Sequence, residues 1–101
     1  MIAWFRKPLF NLGSVVVTPA ALEAIEDSGE TVSKFLDLHV HGDWGCVFVE
    51  DRRQNKESIT SGGRIASAYR TGNGVKIWIV TDSVDDSGQR RFTTILLPSE
   101  I

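Results

Sequence analysis

The stretch RIASAYRTGNGVKIWIVTD, residues 64–82, decides the fold. Arg64 to Thr71 reads as a strand, Gly72-Asn73-Gly74 as a tight turn, and Lys76 to Asp82 as a second strand. β-Branched and aromatic residues flank the turn, and Asn-Gly suits a type I′ turn because both central positions need positive φ. Side chains alternate in direction along a strand, so Ile77 and Ile79 face one way while Trp78 and Val80 face the other. Both faces of this strand are apolar. It therefore belongs in the middle of a sheet, with helices over one face and the N-terminal arm or a partner over the other.

Downstream, Asp82 to Gln89 is a polar loop, and Arg90 to Leu97 is a third strand closed by Pro98. Upstream, Val15-Val16-Val17 is a β-branched run short enough for a strand, and it could join either edge of the hairpin-linked set. Thr18-Pro19 starts a helix. Thr18 can accept from free amides, and Pro19 fits the first helical position, where its missing N–H costs nothing. Gly29 ends this helix. Thr31 repeats the capping signal, and Val32, Phe35, Leu36, His39 and Val40 then form a core-facing stripe at i, i+3, i+4, i+7 and i+8, ended by Gly42. Cys46 to Val49 fits either strand or loop. Glu50-Asp51 resembles the acidic first turn of a polar helix whose one large apolar residue is Ile59. The expected fold is α+β: an N-terminal strand, two to three short helices, then a three-stranded antiparallel β meander packed on the helices. Residues 1–12 form an apolar arm and residues 13–101 a single domain.

With 101 residues, 42% hydrophobic and 24% charged, the composition is that of one globular domain able to build a core. Lys plus Arg (11) nearly balances Asp plus Glu (13), and the basic pairs Arg6-Lys7, Arg52-Arg53 and Arg90-Arg91 read as solvated surface. Neither gives nucleic-acid binding any support, since phosphate neutralisation needs a basic excess or stripe. No apolar run approaches the roughly 20 residues of a membrane span. A single cysteine, Cys46, permits no internal disulfide, and no secretory signal opens the chain, so a cytoplasmic protein is expected.

The densest polar cluster is His39-Val40-His41-Gly42-Asp43-Trp44-Gly45. Two histidines and a carboxylate invite a metal, but helical residues two apart point roughly 200° away from each other. His39 on the apolar stripe fits a hydrogen-bonded core histidine, Asp43 a turn cap, and Trp44 an anchor closing the helix. Cys46 lies near both histidines but sits in an apolar run, where packing is the ordinary role. The acidic loop at Asp82, Asp85 and Asp86 lacks the ligand spacing of a calcium loop. No cofactor motif and no nucleophile–base pair emerges. Candidate interaction or ligand residues are His39, His41, Asp43 and Trp44, with Trp4 and Phe5 of the arm.

Several segments together resemble a family of short bacterial proteins encoded on plasmids, integrative elements and prophages. They are Val17 to Leu22, His39 to Gly45, Glu50-Asp51-Arg52 with Asn55, Arg64 to Tyr69, Lys76 to Thr81 and Thr93 to Pro98. The resemblance implies a helix over Glu50 to Thr60 and a mobile-element setting, near genes that counter or regulate host defence. A restriction–modification label sometimes attached to such proteins does not transfer, because no cofactor-binding glycine motif is present. The apolar Cys46 to Val49 and the long aromatic arm depart from the family pattern. The function expected is a small non-catalytic interaction or accessory protein, acting through a protein partner or a homo-oligomer. The alternative is a small ligand- or metal-binding domain, or a weak enzyme, centred on His39 to Gly45.

Overall fold

The computed structural model describes residues 7–101; Met1 to Arg6, including Trp4 and Phe5, lie outside the described residues. The chain runs β1 (Ser14–Val17), α1 (Pro19–Asp27), α2 (Val32–Val40), α3 (Val49–Ser61), β2 (Ile65–Arg70), β3 (Lys76–Thr81) and β4 (Phe92–Leu96), then a 3₁₀ turn at Pro98–Glu100. The fold is α+β, with three helices on a four-stranded mixed sheet. The order is β1-β4-β3-β2. The expected meander accounts for β2, β3 and β4, which pair antiparallel, but the sheet does not stop there. β1 adds to β4 in parallel, Val15 opposite Thr93 and Val17 opposite Ile95.

The helix starts follow local chemistry. Thr18 Oγ1 accepts from Ala21 N at 3.2 Å with Pro19 behind it, and Thr31 Oγ1 accepts from Lys34 N at 3.3 Å. α1 and α2 cover one sheet face, where Ala21, Ile25 and Phe35 pack on Tyr69, Ile77, Ile79 and Ile95. Phe10, Trp44 and Ile65 form a second cluster. The described part of the arm therefore docks on the helical side through Phe10, and Leu9 N donates to Val40 O at 2.9 Å.

The hairpin turn differs from the type I′ reading. Asn73 keeps a negative φ; Gly74 alone turns to +83° and donates to Thr71 O at 2.8 Å. Five residues rather than four link the strands, so the left-handed residue falls after the turn, the arrangement of a type I turn with a bulge.

α3 lies along the β2 edge, held there by polar bonds rather than by an apolar stripe. The Asn55 side chain donates to Ala66 O at 2.7 Å and accepts from Ala66 N at 3.0 Å, acting as one residue of an added strand. The next outward pair on β2 is closed by the loop before α3: Ala68 N donates to Trp44 O at 3.1 Å and Cys46 N to Ala68 O at 2.8 Å. Cys46 to Phe48 is thus loop, and Cys46 is exposed with its thiol on Ala68 O, not packed as its apolar neighbours suggest. Close backbone approach requires Gly45, whose φ is +71° and where a Cβ would lie 1.9 Å from Ala68 O. Replacing Asn55 by alanine strands both Ala66 groups on a covered edge. A loss of about 2 kcal/mol is expected in urea denaturation; a loss within experimental error would remove Asn55 from this role.

Candidate functional site

The His39 to Gly45 segment does not converge on one ligand. His39 is fully buried, and each ring nitrogen meets a sheet hydroxyl: Nδ1 lies 2.5 Å from Ser67 Oγ and Nε2 2.9 Å from Thr81 Oγ1. Thr81 Oγ1 lies 2.7 Å from Thr93 Oγ1, and Thr93 donates to Leu12 O at 2.7 Å. That last carbonyl can only accept, which sets the direction of the whole chain. Thr93 must accept from Thr81, Thr81 must accept from His39, and the ring carries its proton on Nε2. Ser67 then donates to Nδ1. Burial pulls the His39 pKa down to about 4, so the ring is neutral at pH 7. This network ties α2 to β2, β3, β4 and the arm.

His41 turns the other way at the end of α2, with Nδ1 2.7 Å from Asp37 O. The Asp43 carboxylate accepts from Gly45 N at 3.1 Å as a turn cap, and its backbone carbonyl accepts from the Tyr69 hydroxyl, whose pKa burial pushes up. Trp44 is buried, stacked on Phe10 at 6.2 Å and edge-on to His39 at 6.0 Å. His41 and Trp44 do border one shallow groove of about 470 Å³, together with Leu9, Arg52 and Lys56. Among the described residues no three of His, Cys, Asp and Glu come together as metal ligands.

One other expectation is corrected. Arg90 is not solvated surface: it is buried beneath Phe10, and its guanidinium donates to Gly63 O at 2.6 Å, Asp82 O at 2.9 Å and Ser58 O at 2.9 Å. Burial lowers its pKa. The acidic loop is built around Asp85, which accepts from Ser87 N, Ser87 Oγ and Gln89 N and pairs with Arg91 at 3.0 Å. The Ser87 and Gln89 donors, with Arg91, hold the Asp85 carboxyl well below the usual carboxylate range.

The accessible feature is the sheet face opposite the helices. β3 turns Trp78 and Val80 to that face and β4 turns Phe92, Thr94 and Leu96, with Val16 beside Thr94 on β1. Val16 is 44% and Phe92 45% exposed. A groove of about 260 Å³ runs between Trp78, Val80, Leu96 and Ile101, with Arg64 and Asp82 at one end. Trp78 Nε1 is the one buried side-chain polar atom without a hydrogen-bond partner among the described residues. Alternation at residues 76–81 marks Trp78 and Val80, and the β3–β4 register adds Phe92 beside Thr94 and Leu96; Val16 needs the β1–β4 pairing, which local sequence does not encode.

No family model, curated protein or solved structure matches the chain. Among the described residues no helix is long and apolar enough to cross a membrane.

Proposed function

We propose that this is a protein-interaction module whose contact surface is the open sheet face. The observation that carries the reading is a set of apolar side chains around Thr94, namely Val16, Phe92, Leu96, Val80 and Trp78, with no α-helix laid across it among the described residues. A contiguous exposed apolar surface on a small domain marks an interface. A catalytic role has no comparable support: the Ser67–His39 contact is the nearest thing to an activated nucleophile, and it is sealed in the core. The mobile-element setting rests on the sequence resemblance.

Phe92→Glu places a charge on the proposed contact surface without touching the core. It is expected to keep the wild-type melting temperature while abolishing capture of whatever protein the wild type retains from native-host lysate. Identical capture by both proteins would refute the open face as the contact surface. A second reading, a small-ligand site at the His41–Trp44 groove, is favoured by the positive side chains of Arg52 and Lys56 beside an apolar floor. It predicts that small carboxylates or phosphates perturb the Trp44 indole resonance and leave Trp78 unmoved; no shift at Trp44 would end it.

A further inference from the structure

We infer that β1 pairs with β1 of a second copy, antiparallel and centred on Val16, joining two sheets into one. The two edges of the sheet are finished in opposite ways. Along β2, the outward groups of Ala66 and Ala68 are closed by Asn55, Trp44 and Cys46. Along β1, Ser14 N donates to Arg91 O and Thr18 N to Ile95 O, so residues 14, 16 and 18 face β4. By alternation, the N–H and C=O of Val15 and Val17 point away from the sheet, with no partner among the described residues. Free edges are normally blunted by charge, proline, a bulge or a cover. Among the described residues the strand Ser14-Val15-Val16-Val17 has none of these, and the fifteen residues from Pro8 to Leu22 carry no charge at all.

The same features select the occupant and the register. A second copy brings an equally uncharged strand, so no charge is left facing an uncharged edge. Antiparallel residues that exchange both bonds must each point both groups outward, which limits the pairs to Val15 and Val17. Gly13 cannot extend the run, because its φ of +65° takes the backbone out of the strand, and Pro19 begins α1 on the other side. The arrangement using both residues of both copies sets Val15 against Val17 of the second copy on either side of a two-fold axis at Val16. The two Val16 residues then form a non-hydrogen-bonded pair with Cα atoms roughly 4.5 Å apart. The paired sheets also merge their open faces into one apolar surface, with Phe92 and Trp78 still uncovered.

A disulfide tests the register directly, since Cα separations of about 4.4–6.8 Å permit the bond. In a Cys46→Ser background, which removes the exposed native thiol, Val16→Cys is compared with Ser14→Cys under mild oxidation. On the expected axis the two Ser14 positions sit four residues out of register. Val16→Cys should cross-link at least roughly tenfold faster, because pairing holds its thiols at high effective concentration. Light scattering of the wild type should report a dimer, and Val15→Pro, which removes only an outward N–H, should return it to monomer. A monomeric wild type with equal cross-linking at both positions overturns the inference and leaves the open-face reading untouched. A dimer broken by Phe92→Glu but showing no preference for Val16→Cys also overturns it, and assigns self-association to the open face instead.

Discussion

His39→Ala is expected to lower stability by about 4 kcal/mol, a fall in melting temperature of roughly 20 °C. The imidazole is fully buried, so its removal leaves a cavity between Phe10, Trp44 and the sheet. It also leaves Ser67 without an acceptor and Thr81 without a donor, and each orphaned buried group costs about 1–3 kcal/mol. Small domains hold only about 5–15 kcal/mol in total, so this one change approaches the limit. His39 also imposes a pH signature. Its folded pKa is about 4 against a usual 6.5, so between those values the unfolded chain binds a proton that the folded chain refuses. Stability from this group is complete above pH 6.5 and drains away as pH falls toward 4, a total of about 3 kcal/mol. Glu30, held down to about 2 by Lys34, Ser28 and Gly72, contributes stability that is lost only below its ordinary pKa of 4.5. The upper part of the window therefore separates the two. Urea midpoints of wild type and His39→Leu across pH 4.5–6.5 check the sign: the wild type should slope upward with pH more steeply than the variant. Parallel slopes would mean that His39 takes up its proton without resistance.

Arg90→Met is expected to cost about 3 kcal/mol, and Arg90→Lys nearly as much. One planar guanidinium serves Ser58 O near the end of α3, Gly63 O in the connection to β2, and Asp82 O at the end of β3. A hydrogen bond from a charged donor contributes about 1.5–3 kcal/mol, partly offset here by the desolvation of a cation that no carboxylate faces. A lysine ammonium is a compact point charge and cannot span three carbonyls fixed around a fork. Beyond the global loss, amide exchange should quicken at the C-terminal turn of α3, because Arg90 also complements the negative end of that helix. Losses under 1 kcal/mol for both variants, with α3 exchange unchanged, would contradict the assignment.

These two residues mark where the sequence was readable. His39 was legible as a core histidine because its neighbours on the stripe, Phe35, Leu36 and Val40, announced the buried face, but its partners Ser67 and Thr81 lie 28 and 42 residues away. Arg90 was misread because Arg90-Arg91 looks like any exposed basic pair; only Arg91 is one, while Arg90 lies before β4 in an isolated bridge to Val84 and its guanidinium reaches three carbonyls from distant segments. The α3 helix showed its acidic start but not its anchor, since a mid-helix Asn55 carries no local sign that it will complete a sheet edge. Val15 to Val17 read as a strand, yet its place beside β4 depends on a parallel connection through three helices and two strands, which no short-range pattern reports. The open face follows from that placement, so its outline was half visible: Trp78 and Val80 from alternation, Val16 and Phe92 only from pairing.

Hydroxyl-radical footprinting, on purified protein and in native-host lysate, tests the open face as an interaction surface most directly. Phe48, 81% exposed at the start of α3, serves as the internal reference. The expected result is that Phe92 is labelled strongly in purified protein and protected in lysate, while Phe48 is labelled equally in both. Equal labelling of Phe92 in the two settings, or protection confined to Phe48, would contradict it.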